Sequence, residues 1–326
     1  MTTSPTSAAE GTREESLLGS ALRNLPYFYI GAVALVLIAG LVQPNLLQPF
    51  LLLLILRQAA PLGIAVLGQS ICIRLLSLDL SFGGVAMAVS YIMTSGVLPL
   101  PEIVLIGICL MFGAGVGAAN AFFITRLRAS SVIVTLAMTM ILGGVVTAFT
   151  QLRAPGDAGE ILRYFGQTRV SGLPIAVLVW LGLALCLAVF MRSAVFGRYV
   201  EAIGANPRAA LASGIPYIKV MFVGHIMSSL FAVLSALLLL GVLGVGSLSI
   251  GSDLALNSLA AVILGGVTFG AGRGGVFGPT VAAFMLLFCF NFLTSLGLGE
   301  PVKQMAQGAI IAIAAIAYAG SRFRQR

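Results

Sequence analysis

Apolar residues recur along this chain in ten long blocks, near residues 27–43, 50–70, 82–98, 102–124, 131–151, 174–191, 219–243, 253–270, 276–297 and 302–320. Each approaches the ~17–25 residues that a helix needs to cross a bilayer, and is too long to be a barrel strand. The pattern predicts an all-α, polytopic membrane protein with about ten transmembrane helices. The second and third blocks are the least regular: Pro61, Gly63 and Gly68 break one, and Arg74 and Asp79 lie between the two.

One polar stretch stands apart, residues 192–218. Asn206 is a favoured N-cap, Pro207 suits the first helical position, and Gly214 suits the left-handed position after the last turn. The helix between them has about seven residues, too short to hold in water alone. It must dock, either on a partner or on its own membrane domain. Ala209, Ala210 and Ala212 leave a smooth surface suited to a groove, and Arg208 offers a charge to a partner's carboxylate.

Composition agrees with a membrane protein. Hydrophobic residues make up 59% of the chain and charged residues 9%, against roughly 25% charged in a soluble domain. The 39 glycines suit close helix packing in lipid. The net charge of +8 is scattered through short loops, which fits membrane orientation and not nucleic-acid binding. With a cytoplasmic N-terminus, the inner side gathers thirteen of the 18 basic residues: Arg13, Arg23, Arg74, Arg126, Arg128, Arg192, Arg198, Arg208, Lys219, Arg273, Arg322, Arg324 and Arg326. The outer side keeps Arg57, Arg153, Arg163, Arg169 and Lys303, three of them in one loop, 152–173, beside Asp157 and Glu160. The positive-inside rule therefore predicts both termini in the cytoplasm. Residues 1–24 read as a disordered cytoplasmic tail, 25–320 as the transmembrane domain, and 321–326 as a basic tail.

Catalytic chemistry finds little support. Gly270–Gly275 matches the letters of a dinucleotide fingerprint, but it joins two spans and no acidic residue follows before Glu300. It reads as a tight turn. No Walker A sequence occurs, and neither lysine, Lys219 nor Lys303, follows a glycine. Cys72, Cys109, Cys186 and Cys289 lie in separate apolar stretches without metal or disulfide spacing, and read as small buried hydrophobes. His225 has no carboxylate or second histidine at helical spacing, so a packing hydrogen bond is favoured over a metal or proton-relay role. No metal site and no cofactor are expected on this chain.

Some polar residues remain inside apolar sequence. Asp79 either N-caps the span that begins near Ser81 or stands beside a solute pathway, and the two roles are compatible. Ser81, Asn120, Asn257 and Asn291 either line that pathway or bond between helices. In the fourth block Gly113, Gly115 and Gly117, with Ala114 and Ala118, form a small-residue packing face.

The segment Gly197-Arg198-Tyr199, Glu201-Ala202-Ile203-Gly204-Ala205-Asn206, Ala209-Ala210 and Ser213-Gly214-Ile215 resembles the coupling segment of permease subunits from monosaccharide-type ABC importers. Ribose, xylose and galactose permeases are familiar members, and branched-chain amino-acid permeases are more distant relatives. Asp79-Leu80-Ser81-Phe82-Gly83 is similar to the family's D-L-S-x-G. Ile263-Leu264-Gly265-Gly266 with Gly272-Arg273-Gly274 and Gly278 is similar to its glycine-rich turn. The likeness spans about residues 25–320. It departs at Ser77-Leu78, where Gly or Ile is usual before D-L-S, at Val267 in place of a common Thr, and at Pro279.

The resemblance implies the pore-forming subunit of an importer in a bacterial plasma membrane. Its partners would be cytoplasmic ATPase subunits, a periplasmic or lipid-anchored solute-binding protein, and a second permease copy or paralogue. ATP and magnesium would bind the ATPase. Glu201, Gly204, Asn206, Pro207, Arg208, Ala209, Ala210, Ser213 and Gly214 would form the coupling surface. A pathway of Asn, Ser and Thr groups with almost no fixed charge suits a neutral monosaccharide. The alternatives are an ion-coupled transporter and a permease for nucleosides or branched-chain amino acids.

Overall fold

The protein's structure is a computed structural model that describes residues 27–150, 155–267 and 274–323. The tail 1–24, Arg153 and Arg273, and the Gly270–Arg273 part of the glycine turn, lie outside the described residues. Helices α1 (Tyr27–Val42), α2 (Pro49–Arg74), α3 (Phe82–Thr94), α4 (Glu102–Arg126) and α5 (Ser131–Thr150) come first. The short α6 (Glu160–Gln167) and a two-residue ribbon (Arg169–Val170 with Leu173–Pro174) precede α7 (Ile175–Ser193). Then follow α8 (Val195–Ala205), α9 (Pro207–Ala212), α10 (Tyr217–Leu243), α11 (Leu254–Leu264), α12 (Phe277–Ser295) and α13 (Glu300–Phe323). The last helix runs into the residues expected to form the basic tail.

All ten apolar blocks contain a helix, and α2, α4, α5, α7, α10 and α12 are long and apolar enough to cross a membrane. The centre of the bundle is α10, which packs against α2, α3 and α4. Pro61, Gly63 and Gly68 do not break α2, which is continuous over 26 residues. The proline carbonyl accepts from Ser235 Oγ of α10 at 2.6 Å. Gly63 makes room for the Trp180 ring of α7, and Gly68 lies on the backbone of Ser228. What looks like interruption in sequence is close packing in space.

The third and eighth blocks differ from expectation. With 13 and 11 residues, α3 and α11 are too short for a span, reaching ~20 Å or less of a hydrocarbon core of ~30 Å. Each is preceded by a non-helical segment, 75–81 and 244–253. Such backbone survives in a bilayer only if protein satisfies its polar groups. The hydroxyls of Ser131 and Thr135 accept from the N–H groups of Leu78 (3.1 Å) and Leu80 (2.9 Å), and Thr139 Oγ1 donates to the Leu80 carbonyl at 2.7 Å. On the other segment, Ser90 Oγ accepts from the Ser247 N–H at 3.1 Å. The two short helices begin near one another, with Gly83 facing the backbone of Gly251 and Ser252.

The described part of the 152–173 connection, from residue 155 on, holds a helix and a two-residue ribbon. Glu102 accepts from the first N–H groups of α6, those of Ile161 (2.9 Å) and Leu162 (3.0 Å). A carboxylate there suits the positive end of the helix. Leu162 and Gly166 turn inward, and Gly166 meets the backbone of Gly241.

Candidate coupling site and buried polar cluster

The polar stretch 192–218 folds as two helices. Ala194 is extended (φ −79°, ψ 151°) and ends α7, so α8 leaves in a new direction. Gly197, Val200, Ile203 and Gly204 turn inward from α8, while Arg198 and Glu201 stay exposed. Asn206 Oδ1 accepts from the N–H groups of Arg208 (3.0 Å) and Ala209 (3.1 Å), capping α9 as its sequence predicts. At the other end Gly214 takes φ 78°, its N–H bonds the Leu211 carbonyl, and the Ile215 N–H bonds the Ala210 carbonyl. These two bonds make a Schellman ending, which needs the left-handed residue that glycine supplies.

The six-residue α9 is held by its own domain. Ala210 is 4% exposed and packs in one cluster with Val200, Ile203, Ile71, Leu75 and Met221. Of the three alanines, therefore, Ala209 and Ala212 face outward with Arg208, and Ala210 anchors the helix. Leu211, at 54% exposure, is the large apolar side chain on the outer face. Sequence reading passed over it.

Glu201 points back as well as out. Its carboxylate accepts from Arg74 Nη2 at 3.1 Å, tying α8 to the last residue of α2. In the sequence Arg74 was only an orientation charge. Nothing local marks its partner, 127 residues away.

The residue after Arg74 starts the non-helical segment that carries Asp79. Asp79 Oδ1 accepts from both the N–H and the hydroxyl of Ser81, and Oδ2 accepts from Ser228 Oγ of α10 at 2.8 Å. The helix α3 is thus not capped by Asp79. Its N-cap is Ser81, and the carboxylate braces the turn before it. Asn120 Nδ2 donates to Ser81 Oγ at 3.1 Å, and beside these groups Ser77 Oγ lies 2.9 Å from His225 Nε2. Cys72 Sγ is 3.9 Å from His225 Nδ1. Cys72, Asp79, Ser81, Asn120 and His225 are all fully buried.

The five pathway candidates therefore separate. Asp79, Ser81 and Asn120 form one buried network joining the 75–81 segment, α4 and α10. Asn257 is half-buried on α11, with Oδ1 lacking a partner among the described residues. Asn291 of α12 donates to the Leu287 carbonyl at 2.9 Å and approaches Gln58 Oε1 at 3.4 Å. The exposed Gln58 is a polar neighbour that reading spans singly does not find.

Residues 51–315 match a family described as "Branched-chain amino acid transport system / permease component". Among curated proteins, the chain is similar to the ribose import permease protein RbsC of Escherichia coli, 27% identical over 294 residues that cover 88% of this chain and 91% of that protein. The ribose import permease protein RbsC of Bacillus subtilis is 29% identical, with 88% and 90% covered. The autoinducer 2 import system permease protein LsrD of Escherichia coli is 26% identical over 300 residues, with 88% and 89% covered. No solved structure matches the chain significantly. With its apolar helices and a match over most of its length, the chain belongs to this family of permease components: a multi-pass membrane subunit of a transport system, and not an enzyme.

Proposed function

We propose that the chain is the pore-forming subunit of an ATP-driven importer in a bacterial plasma membrane, passing a small neutral solute, in first place a monosaccharide. The observation that carries the reading is α9, a short helix capped at both ends that presents Arg208 and Leu211 outward. A helix so short holds its shape only through its caps and its packing on α8 and α10, so a push on its outer face passes to both. A cytoplasmic ATPase is the partner that would push, carrying ATP and magnesium on its own chain. On this reading 192–218 and both termini face the cytoplasm.

The opposite end, with α6 and its ribbon, would meet a solute-binding protein. A second permease copy or a paralogue would complete the pore. On this reading the half-buried Asn257 and Asn291 contact the solute, while Asp79, Ser81 and Asn120 hold the start of α3 from behind. Two relatives named for ribose import support a sugar.

The test is transport by the reconstituted system with Arg208→Glu and Gly214→Val combined. Loss of ATP-driven uptake, with normal membrane insertion, is expected. Unchanged uptake overturns the coupling role of α9. Ion-gradient-driven uptake by this chain alone in liposomes, without any ATPase, overturns the importer reading itself.

A further inference from the structure

We propose that Cys72, Asp79 and His225 form an intramembrane binding site for a zinc-type divalent cation, which pins the end of α2, the segment 75–81 and α10 to one another. The thiol, a carboxylate oxygen and an imidazole nitrogen all lie within 4.8 Å of one another. Each comes from a different element and all three side chains are fully buried. No two of them sit at local metal-ligand spacing in the sequence, so only the fold assembles the set.

Asp79 has three donors but no ion-pair partner: among the described residues, no lysine or arginine bridges to it. A carboxylate fully buried in protein is costly unless a counter-charge accompanies it. Three hydrogen bonds also leave one of its roughly four acceptor positions open. A dication held by the Asp79 carboxylate, a Cys72 thiolate and a neutral His225 imidazole makes the cluster electrically neutral. Binding releases the thiol proton to solvent, which balances the step.

Ser77 Oγ sits 2.9 Å from His225 Nε2 and Cys72 Sγ 3.9 Å from Nδ1, so in the tautomer protonated at Nε2 the serine accepts the ring N–H and the Nδ1 lone pair faces the thiol. A ligating histidine is commonly held this way, by a hydrogen bond from the nitrogen that does not bind metal. The mixed sulfur, nitrogen and oxygen donor set favours zinc over magnesium or calcium, which take oxygen ligands. Ser81 and Ser228 hold the carboxylate in the same manner. The site would be structural, within about 12 Å along α10 of the end that leads into α9, given ~1.5 Å rise per residue from Tyr217 to His225.

The experiment uses the purified full-length permease in detergent or nanodiscs, stripped with chelator and reloaded with zinc or cobalt. The expected result is about one zinc per chain by elemental analysis, and a sulfur-to-cobalt charge-transfer absorption with Co²⁺. Both should persist in a variant combining Cys109→Ser, Cys186→Ser and Cys289→Ser, where Cys72 is the remaining thiol. Both should be lost in Cys72→Ser and weakened in His225→Gln. No absorption and no retained zinc in the triple variant, with its elution profile unchanged, overturns the proposal in favour of a thiol–imidazole hydrogen-bond network. An absorption that survives Cys72→Ser overturns it too, because another thiol then binds the metal. Neither readout depends on the solute or on any partner.

Discussion

Arg74 of α2 donates to Glu201 of α8 at 3.1 Å, with the guanidinium side chain 5% exposed and the carboxylate side chain 64% exposed. The asymmetry sets what each residue does. Arg74 is fixed by burial and Glu201 is the movable end, so α8 is moored to the residue that precedes the Asp79 segment. A motion of the 192–218 segment therefore has a direct route to the network around Asp79. A double-mutant cycle of Arg74→Ala and Glu201→Ala, read by thermal unfolding of the purified permease, should give a coupling of about 0.5 kcal/mol, kept small by solvent screening at Glu201. The larger effect is expected in uptake, where either single change should uncouple ATP hydrolysis from transport. Full additivity with unchanged coupling would show the pair to be ornamental.

The cap of α9 can be tested atom by atom. Asn206→Ala removes an acceptor from two N–H groups, a loss of about 1 kcal/mol at a helix N-terminus. Asn206→Asp retains the acceptor. Alanine should lower ATPase binding and uptake, and aspartate should restore most of both. Equal loss in the two variants would mean that the asparagine amide itself meets the partner and the cap is incidental.

At the other end of the bundle, Glu102 and α6 offer a separate handle. Glu102→Ala frees the N–H groups of Ile161 and Leu162 and removes a charge from the helix N-terminus. The proposed solute-binding protein should then dock less well, while ATPase binding to the permease stays as in the wild type. Pull-down with each partner measures the two separately. A loss of ATPase binding alone would reverse the assignment of the two ends.

The helical architecture was legible because ten apolar blocks each demand burial or lipid, and helices answer that demand locally. The ends of α9 were legible for the same reason: Asn206, Pro207 and Gly214 act on their own backbone. What escaped depends on distance. Hydropathy scores the 75–81 segment and α3 alike, and the groups that let Leu78 and Leu80 stay non-helical come from Ser131, Thr135 and Thr139 on another helix. Cys72, Asp79 and His225 were each noted singly, but their meeting requires α2 and α10 to pack in one particular register. Arg74 and Glu201 were invisible as a pair for the same reason.

The small-residue face of α4 supplies the sharpest packing test, because sequence and structure disagree about one of its members. Gly113, Gly115 and Gly117 look equivalent in the sequence, but a helix turns about 100° per residue, so alternate positions cannot share a narrow face. In the structure a Cβ at Gly117 would collide with the backbone carbonyl of His225, and one at Gly113 would collide with Val233, whereas nothing lies within 4 Å of one at Gly115. Gly117 and Gly113 thus set the approach of α4 to α10, and Gly115 points away. Gly117→Ala should force the two helices apart and shift the His225 backbone, with a destabilisation of about 1–3 kcal/mol as for other overpacked interiors. Gly115→Ala should be neutral or slightly stabilising, since alanine is the better helix former. Thermal unfolding of the two variants in the same detergent decides it. Equal destabilisation would mean that α4 is rotated from this position, and the contacts of Asn120 with Ser81 would fall with it.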